Sequence, residues 1–231
     1  MRGQSVIKPD PAAQARLDEF ALDNGVLQVV HADFYRQFDQ EQLSVFGHRH
    51  GLYVLPTHEL IDKLDELIRE ASPSRSAIEI GAGHGTLGRA LGIPCTDSFM
   101  QSDPAVASLY KAMGQPVITY GEHVQRLSAL EAVKHCRPEV VVAAWVTHLY
   151  TEEEHHRGGN MFGVDEVALL KQIKRYIFVG HNGPHHQKPL FDHQPPTAIY
   201  LDGLFSRAAD PLGNEIWVWD NPVTFGTDPG E

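Results

Sequence analysis

The segment AIEIGAGHGTLG, residues 77–88, has the clearest chemical meaning in this chain. A short apolar strand that contains Glu79 runs into three glycines at alternate positions, Gly81, Gly83 and Gly85. Glycine has no Cβ, so these positions let the backbone turn sharply and approach a ligand closely. A helix follows at once, and the pattern therefore predicts a ligand-binding turn between a strand and a helix.

This arrangement resembles the first motif of class I S-adenosylmethionine-dependent methyltransferases. The amphipathic helix before it and the strand VVVAAW, residues 140–145, are also similar to that family, and the resemblance covers residues 57–220. It implies an α/β fold with a doubly wound, mostly parallel sheet that binds S-adenosylmethionine and transfers its methyl group. One departure is that AWVTHLY stands where the family's amino-methylating nucleic-acid enzymes carry [DNS]PP[YF].

The resemblance also implies a set of cofactor-binding residues. Glu79 is expected near the amino-acid end of the cofactor, and an acid that ends the second strand is expected to hold the ribose hydroxyls. Asp97 is the candidate for that acid, and Asp103 is the alternative because it is nearer the ~20-residue spacing of dinucleotide sites. Glu122, His123 and Val124, after the third strand, are expected to bracket the adenine. Trp145 is expected to line the face at which the methyl group is transferred. The predicted set is Glu79, Gly81, Ala82, Gly83, His84, Gly85, Asp97, Glu122, His123 and Trp145.

Two other interpretations of the glycines stay open. Residues 83–88 match GxGxxG, the dinucleotide fingerprint of nicotinamide-dependent oxidoreductases. The register disfavours that interpretation, because the first glycine after the strand is Gly81 and Thr86 then stands where the third glycine belongs. The second alternative is a non-catalytic methyltransferase-like module that serves binding or assembly.

Two histidines are candidates for a general base. His148 and His181 each follow a predicted strand, at the carboxyl edge where open α/β sheets bind ligands. A neutral histidine can accept a proton from an acceptor that must lose one. Each could equally be a loop residue that only forms hydrogen bonds.

A metal site is the alternative use of the histidines. His181, His185, His186, Asp192 and His193 are of types that bind zinc or iron. The Gly-Pro pair between them prevents a helical spacing of ligands, and HExxH does not occur. The spacing therefore favours a long loop of solvated histidines over residues 181–197, and no metal ligands are assigned.

Strand-like and helix-like segments alternate along most of the chain, which is typical of parallel βαβ units. The patterns predict helices at 59–71, 86–91 and 164–175 and strands at 77–80, 117–120, 140–146 and 176–179, with 203–207 and 216–219 as a C-terminal antiparallel hairpin. The pattern of residues 14–46 is mixed and does not decide between helix and strand. The expected division is an N-terminal arm and cap, 1–55, whose first ten or so residues form a loose arm, and a Rossmann-like domain, 56–231.

Composition bounds the remaining possibilities. Of 231 residues, 42% are hydrophobic and 21% charged, which is typical of a globular protein with one core. Lys and Arg number 19 against 30 Asp and Glu, a net charge of −11, so nucleic acid is an unlikely partner and a small-molecule acceptor is expected. Two cysteines without ligand spacing and no long apolar run predict a soluble, cytoplasmic protein that does not enter membranes.

Overall fold

Seven strands form the central sheet of the computed structural model, which describes residues 10–23 and 25–221. Numbered along the chain they are β1 (Ala77–Ile80), β2 (Cys95–Asp97), β3 (Val124–Arg126), β4 (Val140–Ala144), β5 (Arg175–His181), β6 (Thr197–Ile199) and β7 (Asn214–Asp220). Their order across the sheet is β3-β2-β1-β4-β5-β7-β6. All neighbours are parallel except β7, which is antiparallel to both β5 and β6. The predicted doubly wound, mostly parallel sheet is confirmed.

Helices cover both faces of this sheet. In the described residues they are α1 (Pro11–Ala21), α2 (Ala32–Tyr35), α3 (Gln40–Arg49), α4 (His58–Ala71), α5 (Thr86–Leu91), α6 (Pro104–Ala112), α7 (Ala129–Cys136), α8 (Glu166–Leu170), α9 (Asn182–His185) and α10 (Pro189–His193). Thr57 caps the start of α4, since the Leu60 N–H donates to Thr57 Oγ1 over 3.1 Å.

The continuous apolar run of β4 is explained by burial on both faces, as parallel sheets require. Val140 and Val142 pack with the apolar stripe of α4, whereas Val141 and Ala143 pack with α7 and α8 on the opposite face. Successive side chains of a strand alternate between its faces, so one strand serves both cores. The layers hold the carboxyl ends of β1, β2 and β4 side by side at one edge.

The N-terminal helices have a hydrophobic cluster of their own, which includes Leu17, Tyr35, Phe46 and Leu55. A two-stranded antiparallel pair, Val54–Leu55 with Phe205–Ser206, joins this cluster to the C-terminal part of the chain. The boundary at residue 55 stays a prediction. Most of the predicted loose arm, residues 1–9, lies outside the described residues, and Asp10 caps α1 by accepting from the Ala12 N–H.

The third strand is not where the sequence pattern placed it. Residues 117–120 form no strand, and β3 begins at Val124. Gly114, Pro116 and Gly121 interrupt the pattern, and the segment instead lies across the glycine turn, where the Gly121 N–H donates to Gly83 O over 3.4 Å. A β-rich composition alone did not reveal this tertiary contact.

The C-terminal antiparallel pair exists, but its strands differ from the prediction. β7 pairs with β5 and with β6, not with residues 203–207. Two other predictions were also wrong. The helix predicted at 164–175 is shorter and consists of α8 alone, and the loop predicted at 181–197 contains α9 and α10. Asp165 starts α8 as an N-cap, and the chain turns into β5 soon after the helix ends.

Candidate functional site

A cavity of about 350 Å³ opens at the carboxyl ends of β1, β2 and β4, the edge at which open α/β sheets bind ligands. Its volume is within the range of small-molecule sites. The predicted residues Gly81, Asp97 and Trp145 line it. The other lining residues include Tyr53, Ser98, Met100, Tyr110, Ile118, Tyr120, Leu127, Leu130, Thr147, Leu149, Asn160, Phe162 and Asp165.

The glycine turn adopts the backbone conformation for which glycine is needed. Gly81, Gly83 and Gly85 have φ of 58°, 52° and 71°, in the left-handed region. A Cβ on Gly81 would also lie 2.3 Å from Val146 Cγ1. Glu79, Gly81, Ala82, Gly83 and His84 together line a smaller adjoining cavity. The structure therefore brings most of the predicted glycine-turn residues to one place.

Asp97 connects the glycine turn to the larger cavity. Its carboxylate accepts from the Gly83 N–H over 3.0 Å and from the Phe99 N–H over 2.9 Å. Burial raises the pKa of Asp97, and each oxygen still has a lone pair for a ligand hydroxyl. Asp103 instead caps α6 and is exposed. Asp97 is thus the better placed of the two for ribose binding.

Glu79 is buried beneath the turn and does not line the larger cavity. Its Oε2 accepts from the Gly88 N–H over 2.8 Å, at the side of α5 that packs on β1. Burial raises the pKa of Glu79 to about 8. This carboxyl therefore supports the turn from below.

Glu122 and His123 do not occupy the position expected for residues that bracket an adenine. The shift of the third strand places them before β3, exposed and outside both cavities. His123 Nε2 lies 3.0 Å from Gly85 O and packs against the glycine turn. The residues that follow β3 and line the larger cavity are Leu127, Ser128, Ala129 and Leu130; a correct strand boundary would have identified them.

Trp145 lies in a strained turn directly after β4. Its φ of 57° is in the left-handed region, which is unusual for a large side chain. The Trp145 N–H donates to Val179 O over 2.9 Å, and the indole lies 5.7 Å from the Tyr53 ring between centroids. Strain of this kind often accompanies a functional site.

His148 is not available to the cavity. Thr147 and Leu149 line it, whereas His148 does not. His148 is buried, Gly159 and Gly163 pack on it, and burial lowers its pKa. The prediction that His148 is a base at the site conflicts with this position.

His181 has both ring nitrogens in use. Nδ1 accepts from the Gly183 N–H over 3.0 Å, and Nε2 therefore donates to Asp210 O over 2.7 Å. His185 is buried among aromatic rings, its Nδ1 accepts from the His181 N–H, and burial lowers its pKa to about 3. His181 therefore holds the start of α9, and its predicted role as a base has no support in this geometry.

A buried ion pair beside the cavity was not predicted from the sequence. Lys188 Nζ donates to both carboxylate oxygens of Glu166 over 2.9 Å and to Val146 O over 2.8 Å. The Tyr176 hydroxyl donates to Glu166 Oε1 over 2.8 Å. Burial lowers the pKa of Lys188, and Glu166 opposes that shift. The pair ties α8 and α10 to the Trp145 turn, and a sequence separation of 22 residues hid it from the sequence pattern.

Two further findings bear on the site. In the described part of the chain, His, Cys, Asp and Glu nowhere form a group of three suited to hold a metal ion. Among the described helices, none has the length and apolar character of a membrane span.

Comparisons with known proteins add only distant structural matches. No protein-family model and no curated protein sequence matches the chain. An uncharacterized protein of Listeria monocytogenes serotype 4b matches at 13% identity and a TM-score of 0.34, over 73% of this chain and 70% of that one. A candidate tRNA (m1A22) methyltransferase of Streptococcus pneumoniae matches at 12% identity and TM-score 0.31, over 62% of each chain. The complex of that protein with S-adenosyl-L-methionine matches at 16% identity and a TM-score of 0.31, over 68% of this chain and 72% of that one.

The fold is the class I methyltransferase-like form of the Rossmann architecture, as the sequence motif implied. The expectation that nucleic acid is an unlikely partner is contradicted, because two of the matching structures come from a candidate tRNA methyltransferase. That expectation rested on a net charge of −11, which averages over the surface and leaves local patches unseen.

Proposed function

We propose that the protein binds S-adenosylmethionine and transfers its methyl group to an acceptor. The observation that carries the proposal is the glycine turn of β1 bonded to the buried carboxylate of Asp97, both on one cavity at the carboxyl edge of the sheet. The turn offers close backbone approach, and Asp97 offers acceptors for ribose hydroxyls. These residues fit the cofactor.

The strand order favours this proposal over nicotinamide binding. The common dinucleotide-binding sheet has the order 3-2-1-4-5-6. Here β7 is inserted between β5 and β6 and runs antiparallel to both. Thr86, which begins α5, also stands where the fingerprint needs its third glycine.

The residues supply binding, orientation and exclusion of water. Bound S-adenosylmethionine provides a methyl group on a sulfonium, which is displaced in line by the acceptor. Trp145 and Tyr53 form an aromatic wall of this region. Proximity and orientation supply most of the rate in such a transfer. The titratable described residues that line the larger cavity are two aspartates and three tyrosines: Asp97, Asp165, Tyr53, Tyr110 and Tyr120.

The test is a comparison of thermal shifts with S-adenosylmethionine, S-adenosylhomocysteine, NAD and NADP. A ligand at 100 times its Kd adds ~2.7 kcal/mol of stability, which raises the Tm of a domain of this size by several degrees. We expect a shift with the two adenosyl-sulfur ligands only. A shift with NAD alone, or with none of the four, would refute the proposal.

Asp97→Asn isolates the ribose contact. We expect at least tenfold weaker binding of S-adenosylmethionine, because the amide keeps the shape and loses the charge and an acceptor. Asp103→Asn is the matched control and should leave the Kd unchanged, since that side chain is exposed at the start of α6. If the two variants exchanged these effects, Asp103 would be the ribose ligand.

Turnover separates an enzyme from a binding module of the same fold. A transferase converts S-adenosylmethionine to S-adenosylhomocysteine when an acceptor is supplied, and a module that only binds does not. Release of S-adenosylhomocysteine during incubation with fractionated metabolites and RNA is therefore the measurement. Binding without turnover in every fraction would favour the module.

A further inference from the structure

We propose that the end of the larger cavity beyond Trp145 is a subsite for an aromatic group that carries a positive charge or N–H donors. Leu149, Asn160, Phe162 and Asp165 line this end. The proposal deepens the proposed function and rests on it for the ligand's role as methyl acceptor. The lining residues by themselves indicate the chemistry of the ligand.

The sheet order separates this end from the cofactor end. β1 lies between β2 and β4, so Gly81 and Asp97 mark one end of the cavity and the chain after β4 marks the other. Backbone hydrogen bonds fold residues 160–164 against 147–150. The Leu149 N–H donates to Val164 O over 2.9 Å, and the Tyr150 N–H donates to Asn160 O over 2.9 Å. The wall is thus built into the fold.

The lining of the cavity favours a cation over an anion. Five of the lining side chains are aromatic: Tyr53, Tyr110, Tyr120, Trp145 and Phe162. Aromatic faces are electron-rich and attract cations. The charged lining groups are aspartates, and none of the described residues that line this cavity is Lys, Arg or His. An anionic ligand would find no countercharge there.

Asp165 is the carboxylate at the subsite end. Its Oδ1 accepts from the Ala168 N–H over 2.9 Å, which fixes the group at the start of α8. A carboxylate has about four acceptor sites, so it can take N–H donors from a ligand as well. Asp97 is held at the other end by the glycine turn.

Three cationic side chains of neighbouring segments already have partners, one of which is the Tyr53 ring of the cavity itself. Lys188 is paired with Glu166, Arg157 with Glu154 and Asp192, and Arg207 stacks on Tyr53 with 3.7 Å between the guanidinium carbon and the ring centroid. Tyr53 lies at the boundary with the smaller cavity, because it lines both.

The rim on this side is apolar. Phe162 is 48% exposed and Met161 is 76% exposed. These two adjacent side chains offer apolar surface to a ligand at the mouth of the cavity. The subsite therefore combines an aromatic rim with a fixed carboxylate.

The test uses three probes with one indole ring and different charges. Tryptamine is a cation, tryptophol is neutral and indole-3-acetate is an anion. Binding is measured by calorimetry and by ligand-observed NMR, with and without saturating S-adenosylhomocysteine. We expect tryptamine to bind at least tenfold more tightly than indole-3-acetate, with tryptophol between them.

Variants place the effect at the subsite. Asp165→Asn should remove the preference for tryptamine, and Phe162→Leu should weaken all three probes, whereas Asp103→Asn should change none. A preference for indole-3-acetate, no binding of any probe, or a preference that survives Asp165→Asn would overturn the subsite. Failure of S-adenosylmethionine to bind the wild-type protein would overturn the proposed function separately, because the probes are also measured without cofactor.

Discussion

At the scale of single residues, Glu79 has its protonation state set by burial. The side chain is 2% exposed, and its pKa is raised to about 8, whereas the unfolded chain has the ordinary value near 4.5. The folded protein therefore holds a proton on Glu79 that the unfolded chain releases between these values. Stability from this group is fully present below pH ~4.5 and is lost as pH rises through about 8.

Glu79→Gln should remove this pH dependence. The amide stays neutral and can still accept from the Gly88 N–H, so the variant should gain stability over the wild type, on the order of a few kcal/mol, as pH rises from 5 to 8. Urea unfolding at several pH values measures the difference. Glu131→Gln is the control: Ser128 lowers the pKa of that exposed carboxyl, so its difference from the wild type should be constant over this range.

The sequence pattern located the glycine turn, whose backbone is in the left-handed region, while the cofactor-binding roles of these residues stay predictions. The glycine turn and Asp97 could be found because a turn alone seldom needs three alternate glycines directly after a strand. His148 and His181 could not be judged, because a histidine at a strand end looks the same in sequence whether it faces a cavity or the core. The cavity itself shows that Thr147 and Leu149 line it and that His148 does not.

At the scale of elements, the Lys188–Glu166 pair holds the turn after β4 in its strained form. Lys188 donates to Val146 O and β5 accepts from the Trp145 N–H, so the peptide groups on both sides of the Trp145–Val146 peptide bond are fixed. Replacing a whole buried pair with neutral side chains is often neutral for stability, whereas removal of one partner costs ~3–5 kcal/mol. Replacing both partners can therefore test how the pair affects the position of the turn without a large change in the free energy of unfolding.

The double variant Lys188→Met, Glu166→Gln should fold with a Tm near that of the wild type and lose the hold on Val146 O. We expect altered Trp145 fluorescence and about tenfold weaker S-adenosylmethionine binding. The Trp145 signal is obtained by subtracting the spectrum of a Trp145→Phe variant, which lacks it. The half-exposed pair of Lys174 with Glu139 provides the control, and the same replacements there should change neither quantity. Unchanged fluorescence and affinity in the first double variant would show that the pair does not position the turn.

Elements were predictable where the hydrophobic period was local. α4 and β4 were found because a helical stripe and a continuous apolar run are properties of the segment itself. β3 and β6 were missed because their pairing depends on distant strands, and residues 117–120 satisfy a β pattern while packing on the glycine turn.

At the scale of the whole molecule, the N-terminal cluster and the two sheet cores are separate hydrophobic units. We propose that the described residues up to 55 form a cap on the Rossmann-like domain. The cap supplies Gly51, Leu52, Tyr53 and Val54 to the smaller cavity. Residues 202–208 also join it, since Gln40 Nε2 donates to Ser206 O over 2.9 Å.

Phe46→Ala tests this division. Phe46 is fully buried in the N-terminal cluster, and truncation of such a side chain costs ~3–5 kcal/mol. We expect hydrogen exchange to accelerate in α3 while β4 keeps its protection. Leu64→Ala removes a side chain of α4 from the core that it shares with β4, and it should accelerate exchange in β4 as well. Uniform loss of protection in Phe46→Ala would mean that the chain opens as one unit.

The position of β7 determines when the sheet can be completed during synthesis of the chain. The ribosome makes β7 after the other six strands, yet β7 lies between β5 and β6. Until its residues emerge, the nascent chain carries β5 as an open edge and β6 without a neighbour in the sheet, and open edges invite pairing between chains. Translation that stalls before residue 214 would therefore leave an aggregation-prone product, whereas a pause after residue 220 emerges would leave a sheet that can close.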